Sequence, residues 1–89
     1  MDIYGAAMAV DEPEDEDAYF EGLQMLIDSG MAWQLQGRVG RAAMDAIDSG
    51  RCLLGVEGHT DYYGNHIPSR TEVQPGTKGS VEYALGRAT

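Results

Sequence analysis

Tyr19, Phe20, Leu23, Leu26 and Ile27 fall on one arc of a helix that turns by about 100° per residue. Asp17, Glu21, Gln24 and Asp28 take a different arc, so the spacing predicts one amphipathic helix over about 13–29. Asp11 can act as its N-cap with Glu14 three residues on, Pro13 suits a first turn, and Gly30 is a natural left-handed stop. A second helical pattern runs over about 31–49 and ends at Gly50. Its polar arc holds Gln34, Arg38, Arg41, Asp45 and Asp48, which leaves two contact sides. One presents Ala32, Leu35, Val39, Ala42 and Ala46, and the other Trp33, Gly37, Gly40, Met44 and Ile47. A helix with two covered sides has to be sandwiched, here between the first helix and either the C-terminal segment or a second copy of the chain. Gly37 and Gly40 each cost about 1 kcal/mol relative to Ala in a helix interior, which close backbone approach or a kink would explain. Both helices close on Ile-Asp-Ser-Gly, at 27–30 and 47–50, which reads as shared helix-ending chemistry.

Beyond Gly50 the pattern loses its helical period. Arg51-Cys52-Leu53-Leu54 suits a short strand, and Thr60 to Val73 suits a hairpin turning at Gly64-Asn65, with Pro68 confining the second arm to an edge. Gln74-Pro75-Gly76-Thr77 places Pro and Gly as a type II turn does, and Ser80 can cap a last helix, Val81 to Leu85, stopped by Gly86. The expected class is α+β, mainly α: a two-helix hairpin packed on an irregular C-terminal half with a short hairpin and a short final helix. At 89 residues the chain makes one domain, 1–89, with 1–12 a frayed acidic end, 13–50 the helical pair and 51–89 the loop-rich half.

Charge changes the picture at one end only. Nine of the fifteen acidic residues lie in the first thirty positions, where no basic residue occurs, and from residue 31 onward six acids face six bases. The net charge of -9 therefore belongs entirely to the N-terminal third. This argues against autonomous binding to duplex nucleic acid and favours a basic partner surface. Glu14, Asp15, Glu16, Asp17, Glu21 and Asp28 are the candidate partner-binding acids, with a helix start bathed in solvent as the plainer reading of the same run. Tyr62 and Tyr63 are candidate anchors, since aromatic side chains with a polar handle dominate many interfaces, and Trp33 is either an anchor or core. No apolar run is long enough to span a membrane, and no targeting signal is visible, so a cytoplasmic chain is expected.

Specific chemistry is scarce. Cys52, His59 and His66 lie seven apart with Glu57 and Asp61 between them, a weak alternative metal set that lacks the close ligand pairs of a zinc site. A Cys-His nucleophile oriented by Asp61 is weaker still, and no metal, cofactor or catalytic residue is expected. Gly76-Thr77-Lys78-Gly79-Ser80 has its Lys before the second Gly, against the order of a phosphate loop, and reads as a turn entering a helix cap.

The stretches Tyr19-Phe20-Glu21-Gly22-Leu23, Ile27-Asp28-Ser29-Gly30-Met31-Ala32-Trp33-Gln34-Leu35-Gln36-Gly37, Asp61-Tyr62-Tyr63-Gly64-Asn65-His66-Ile67-Pro68-Ser69-Arg70 and Pro75-Gly76-Thr77-Lys78-Gly79-Ser80 carry a resemblance. Over 19–83 the chain resembles a family of small proteins encoded by phages and prophages of actinobacteria. The resemblance implies phage origin and brings no catalytic residue with it. The expected function is that of a non-enzymatic phage accessory protein that binds a host-encoded protein in the host cytoplasm through its acidic surface, with a homodimer through helix 31–49 as a further association. The alternatives are a DNA-binding or transcriptional module resting on Arg38, Arg41 and Arg51, or a minor phage structural component.

Overall fold

The computed structural model describes residues 2–34 and 37–87; Leu35, assigned above to a contact side of the second helix, lies outside them with Gln36. The described residues form an α+β structure that is mainly α: five helices and one two-stranded antiparallel sheet.

The N-terminal end, expected to be frayed, is helix α1 (Ile3–Asp11). Asp2 caps it, its carboxylate accepting from the Gly5 amide at 2.7 Å. Tertiary contact then holds what propensity alone would let fray: Ala6 is fully buried against α2 (Glu16–Ser29). At the crossing sits Gly22, where a Cβ would lie 2.8 Å from the Ala6 carbonyl oxygen and 3.1 Å from the Ala9 side chain. Helix α2 begins later than the spacing predicted. Asp15, not Asp11, is its cap and accepts from the Ala18 amide at 2.7 Å. Asp11 instead closes α1 and pairs with Arg38 at 2.8 Å.

Gly30 ends α2 as expected, with φ 84°. A side chain there would be strained and would also meet the His59 ring, so the position demands glycine twice over. Ser29 and Ser49, the third residues of the two Ile-Asp-Ser-Gly segments, each donate to the carbonyl three residues back, Leu26 and Ala46, at 3.1 Å.

The single helix expected over 31–49 is two: α3 (Met31–Gln34) and α4 (Arg38–Asp48). Gly37 has φ 78° and ψ -118°, a conformation that only glycine adopts readily, and a Cβ there would meet no atom within 4 Å among the described residues. Of the two explanations for its glycines, the bend holds at Gly37. The break rotates α4 relative to α3 and redistributes the contact sides. Ala32, Trp33, Ala46 and Ile47 are buried as expected, Val39 and Ala42 only in part, while Ala43 is buried and Met44 exposed, against expectation.

Arg51 to Leu54 forms no strand. It bends at Arg51 and Cys52, whose amides donate to the Ala46 carbonyl, and then meets α2, where Gln24 stands in for a strand partner: the Leu53 amide donates to the Gln24 side chain at 2.7 Å, which donates back to the Leu53 carbonyl at 3.1 Å. The hairpin is present and short, β1 (His59–Thr60) against β2 (His66–Ile67), with His59 opposite Ile67 and Thr60 opposite His66. The Gln74–Thr77 turn closes with the Thr77 amide on the Gln74 carbonyl at 3.1 Å. Ser80 caps α5 (Val81–Arg87) as expected, but the helix runs through Gly86 rather than stopping there. Leu23, Leu26, Ile27, Trp33, Ile47, Cys52 and Leu54 join one core shared by α2, α3, α4 and the 52–54 segment.

Candidate interaction surfaces

The acids of α2 divide into two groups by what they touch. Asp15 is the N-cap and Glu16 pairs with Arg51, whose guanidinium also lies 4.9 Å above the Phe20 ring. Asp28, expected as a steering charge, is half-buried and belongs to the fold. It receives the Arg70 guanidinium at 2.8 Å and the Gln24 amide at 3.1 Å. Arg70 further donates to the Leu54 carbonyl at 2.8 Å, so one guanidinium ties α2 to the 52–55 segment and the hairpin's exit. Such a charge-assisted, partly desolvated link outweighs an exposed ion pair. Glu14, Asp17 and Glu21 are exposed and make no ion pair among the described residues. Asp17 and Glu21 stand one helical turn apart beside Phe20, so the acid left for a partner is at the N-terminal half of α2.

Tyr62 and Tyr63 sit on the turn of the hairpin, 57% and 79% exposed, with their rings edge to face at 5.3 Å. Alternation along a strand would have buried one of them; the turn exposes both. Asp61 holds this turn in shape, one carboxylate oxygen accepting from the Tyr63 and Asn65 amides at 2.9 and 2.8 Å. The Tyr62 amide donates to the Trp33 carbonyl at 2.9 Å, and Gln34 reaches the Thr60 carbonyl, which docks the turn on α3. Beside the tyrosines lie Trp33, Gly40, Arg41 and Met44, which line an open groove. Arg41 and Met44 were not singled out together with the tyrosines in the sequence. Their adjacency follows from the break at Gly37, which period alone does not specify.

Cys52, His59 and His66 are not gathered into one cluster, and among the described residues no group of three His, Cys, Asp or Glu is placed to hold a metal ion. The Cys52 thiol is buried and contacts the Phe20 carbonyl at 3.5 Å. Burial, with the Asp28 carboxylate adding to it, pushes the thiol up to about 11, the opposite of an activated nucleophile. His66 bonds Glu72 at 2.9 Å and holds that carboxyl below its ordinary range. His59 packs against Gly30 with its Nε2 buried and without a hydrogen-bond partner among the described residues. Asp61 is occupied by the hairpin turn. In the Gly76–Ser80 loop the Ser80 hydroxyl accepts from the Gly76 and Tyr83 amides at 3.0 and 3.2 Å and donates to the Thr77 carbonyl at 2.7 Å. That loop is tied to itself as a turn and cap.

The fold and these surfaces define a small, mainly helical α+β domain whose exposed chemistry is acidic at one end and aromatic at the hairpin. A family model, Domain of unknown function (DUF7417), matches residues 8–70, and the chain belongs to that family. The matched span takes in α2, α3, α4 and the hairpin and ends before α5. No curated protein and no solved structure matches the chain significantly. No helix of the described residues is long and apolar enough to cross a membrane.

Proposed function

We propose that the chain is a non-enzymatic protein-interaction module that meets a basic protein surface through the acid at the start of α2. The observation that carries this reading is the survival of the charge asymmetry in the folded molecule: Asp11, Glu16 and Asp28 have arginine partners, and Glu14, Asp17 and Glu21 are left exposed without one among the described residues. Exposed like charges close together at the start of a helix repel each other, and a basic partner relieves that repulsion while steering the encounter. In the setting the phage resemblance implies, the partner is host-encoded and met in the host cytoplasm. Arg38 and Arg51, two of the three arginines on which a DNA-binding reading relied, are paired with Asp11 and Glu16, which favours the protein-interaction reading over it.

The test compares the wild-type chain with the triple variant Glu14→Gln, Asp17→Asn, Glu21→Gln as baits in native extract, with quantitative mass spectrometry. A basic protein retained by the wild type and reduced at least about fivefold by the variant is expected, the loss of roughly 1 kcal/mol or more of charge attraction. Equal retention of every captured protein defeats the reading.

A further inference from the structure

Helix α1 carries no charged side chain between Ile3 and Val10. A helix without a polar face is ordinarily covered all round, yet α1 buries its Ala6 side against α2 and leaves Tyr4 and Met8, one turn apart, 83% and 66% exposed. Gly5, Met8, Ala9 and Glu12 recur at the spacing of one helical stripe. With Ala18 of α2 and Glu14 of the connecting loop they line an open groove of about 490 Å³. Its length is apolar, and both of its charged side chains are acids. Glu12 and Glu14 are exposed and have no ion pair among the described residues. Arg38 reaches this end of the molecule, but Asp11 holds it at 2.8 Å and neither of the two lines the groove.

We propose that this groove seats a basic amphipathic segment of a partner protein, one in which a large aliphatic side chain lies beside two arginines or lysines. The proposal rests on the acidic-surface reading above and names the element of the partner that binds. The aliphatic side chain covers Met8 and lies along Gly5 and Ala9, and the cations meet Glu12 and Glu14. From residue 5 to residue 12 the stripe is about 10 Å long, the span of two helical turns or of about three extended residues. The apolar length alone would accept any hydrophobic segment, and it is the pair of acids with no base beside them that selects a basic one. A second copy of the chain would bring a further net charge of -9 to the same place, which disfavours it as the occupant. An anionic lipid surface, which could also cover Met8, repels the same two carboxylates.

The test titrates the chain with the peptide acetyl-Ser-Arg-Leu-Leu-Arg-Ser-amide and follows the Met8 methyl and the Gly5 and Ala9 amides by NMR. Two counterparts each remove one half of the recognition: Gln in place of Arg, and Ser in place of Leu. The Arg-Leu peptide is expected to shift all three signals saturably, and each counterpart to bind at least about fivefold more weakly. Met8 and Glu12 and Glu14 are exposed, so their variants keep the fold. Met8→Gln should weaken the Arg-Leu peptide about fivefold, and so should Glu12→Gln with Glu14→Gln, as expected for exposed charge pairs. Asp17 and Glu21 line a different recess, with Phe20 and Arg51, so Asp17→Asn with Glu21→Gln should change the affinity less than about twofold. Signals that do not move up to millimolar peptide overturn the proposal. So does equal affinity for the Gln counterpart, so do the same shifts on addition of phosphatidylcholine vesicles, and so does a dimer of the free chain that Met8→Gln dissociates. Equal affinity for the Ser counterpart, with Met8→Gln silent and Asp17→Asn with Glu21→Gln weakening the peptide, overturns the groove and leaves the acidic-surface reading in place.

Discussion

At the residue scale, burial decides what the reactive side chains can do. Cys52 is 2% exposed and has Asp28 nearby, so both desolvation and charge disfavour the thiolate in the folded state. The sign of the consequence for stability follows from linkage. Between about pH 9 and about 11 the unfolded chain loses the thiol proton while the folded chain keeps it, so the folded state binds more protons and stability falls as pH rises across that window. Below it the contribution is complete. Urea unfolding of the wild type and of Cys52→Ala at pH 8, 9 and 10 should show a steeper alkaline decline in the wild type; parallel declines would show that the thiol is not the group responsible. Trp33 and His59 present the reverse situation, buried rings each with a nitrogen that has no hydrogen-bond partner among the described residues. Trp33 lines the groove beside the hairpin, and sequence periodicity could show only that the residue lay on a covered side.

At the element scale, the fold depends on where helices stop and on how closely they approach. Gly22 lets α1 lie against α2 backbone to backbone, and its replacement sets helix propensity against packing. Alanine gains about 1 kcal/mol of intrinsic helix preference, and the clash with the Ala6 carbonyl costs about 1 to 3 kcal/mol. Packing wins because the opposing atom is backbone and cannot rotate away, so Gly22→Ala should destabilise by roughly 1 kcal/mol and loosen α1. A Cβ at Gly86 in α5 would meet no atom within 4 Å among the described residues, and its φ is not positive, so Gly86→Ala should be neutral or stabilising by up to about 0.5 kcal/mol in the same thermal melts. A Gly22→Ala chain as stable as the wild type would remove the close crossing as the reason α1 is ordered. Helix α2, the end at Gly30, the hairpin and the Ser80 cap were legible because each rests on a local signal: period, left-handed glycine, turn dipeptide or capping oxygen. Helix α1 was not, although Asp2 offered a cap, because an almost wholly apolar run has no polar arc to set its period and its order comes from Gly22, far along the chain. The break at 37 was half legible: Gly37 could be read as either an approach or a bend, and only the backbone conformation distinguishes them. The groove beside the hairpin inherits that ambiguity, since the side chains that line it come together only after α4 has turned away from α3.

At the scale of the whole molecule, attraction and repulsion have different ranges. The ion pairs Asp11–Arg38 and Asp28–Arg70 close at 2.8 Å, whereas the surplus acids of the N-terminal third repel over the width of α1 and α2. Salt screens the longer-range effect first: the Debye length falls from about 30 Å at 0.01 M to about 8 Å at 0.15 M. Exposed pairs contribute about 1 kcal/mol at most, so what they lose to screening is small beside the relief of a net charge of -9. The wild-type melting temperature should therefore rise between 0.01 M and 0.15 M sodium chloride, by roughly 2 to 4 °C if the relief is about 0.5 kcal/mol in a domain of this size. The variant Glu14→Gln, Asp17→Asn, Glu21→Gln should melt with a flatter salt dependence. Its stability at high salt should be slightly lower, because Asp17 in the first turn of α2 favours the helix dipole by a few tenths of a kcal/mol. A melting temperature that falls with salt in the wild type would mean that the arginine pairs outweigh the surplus acid. The acidic end would then be a balanced part of the fold, with no excess for a basic partner to relieve.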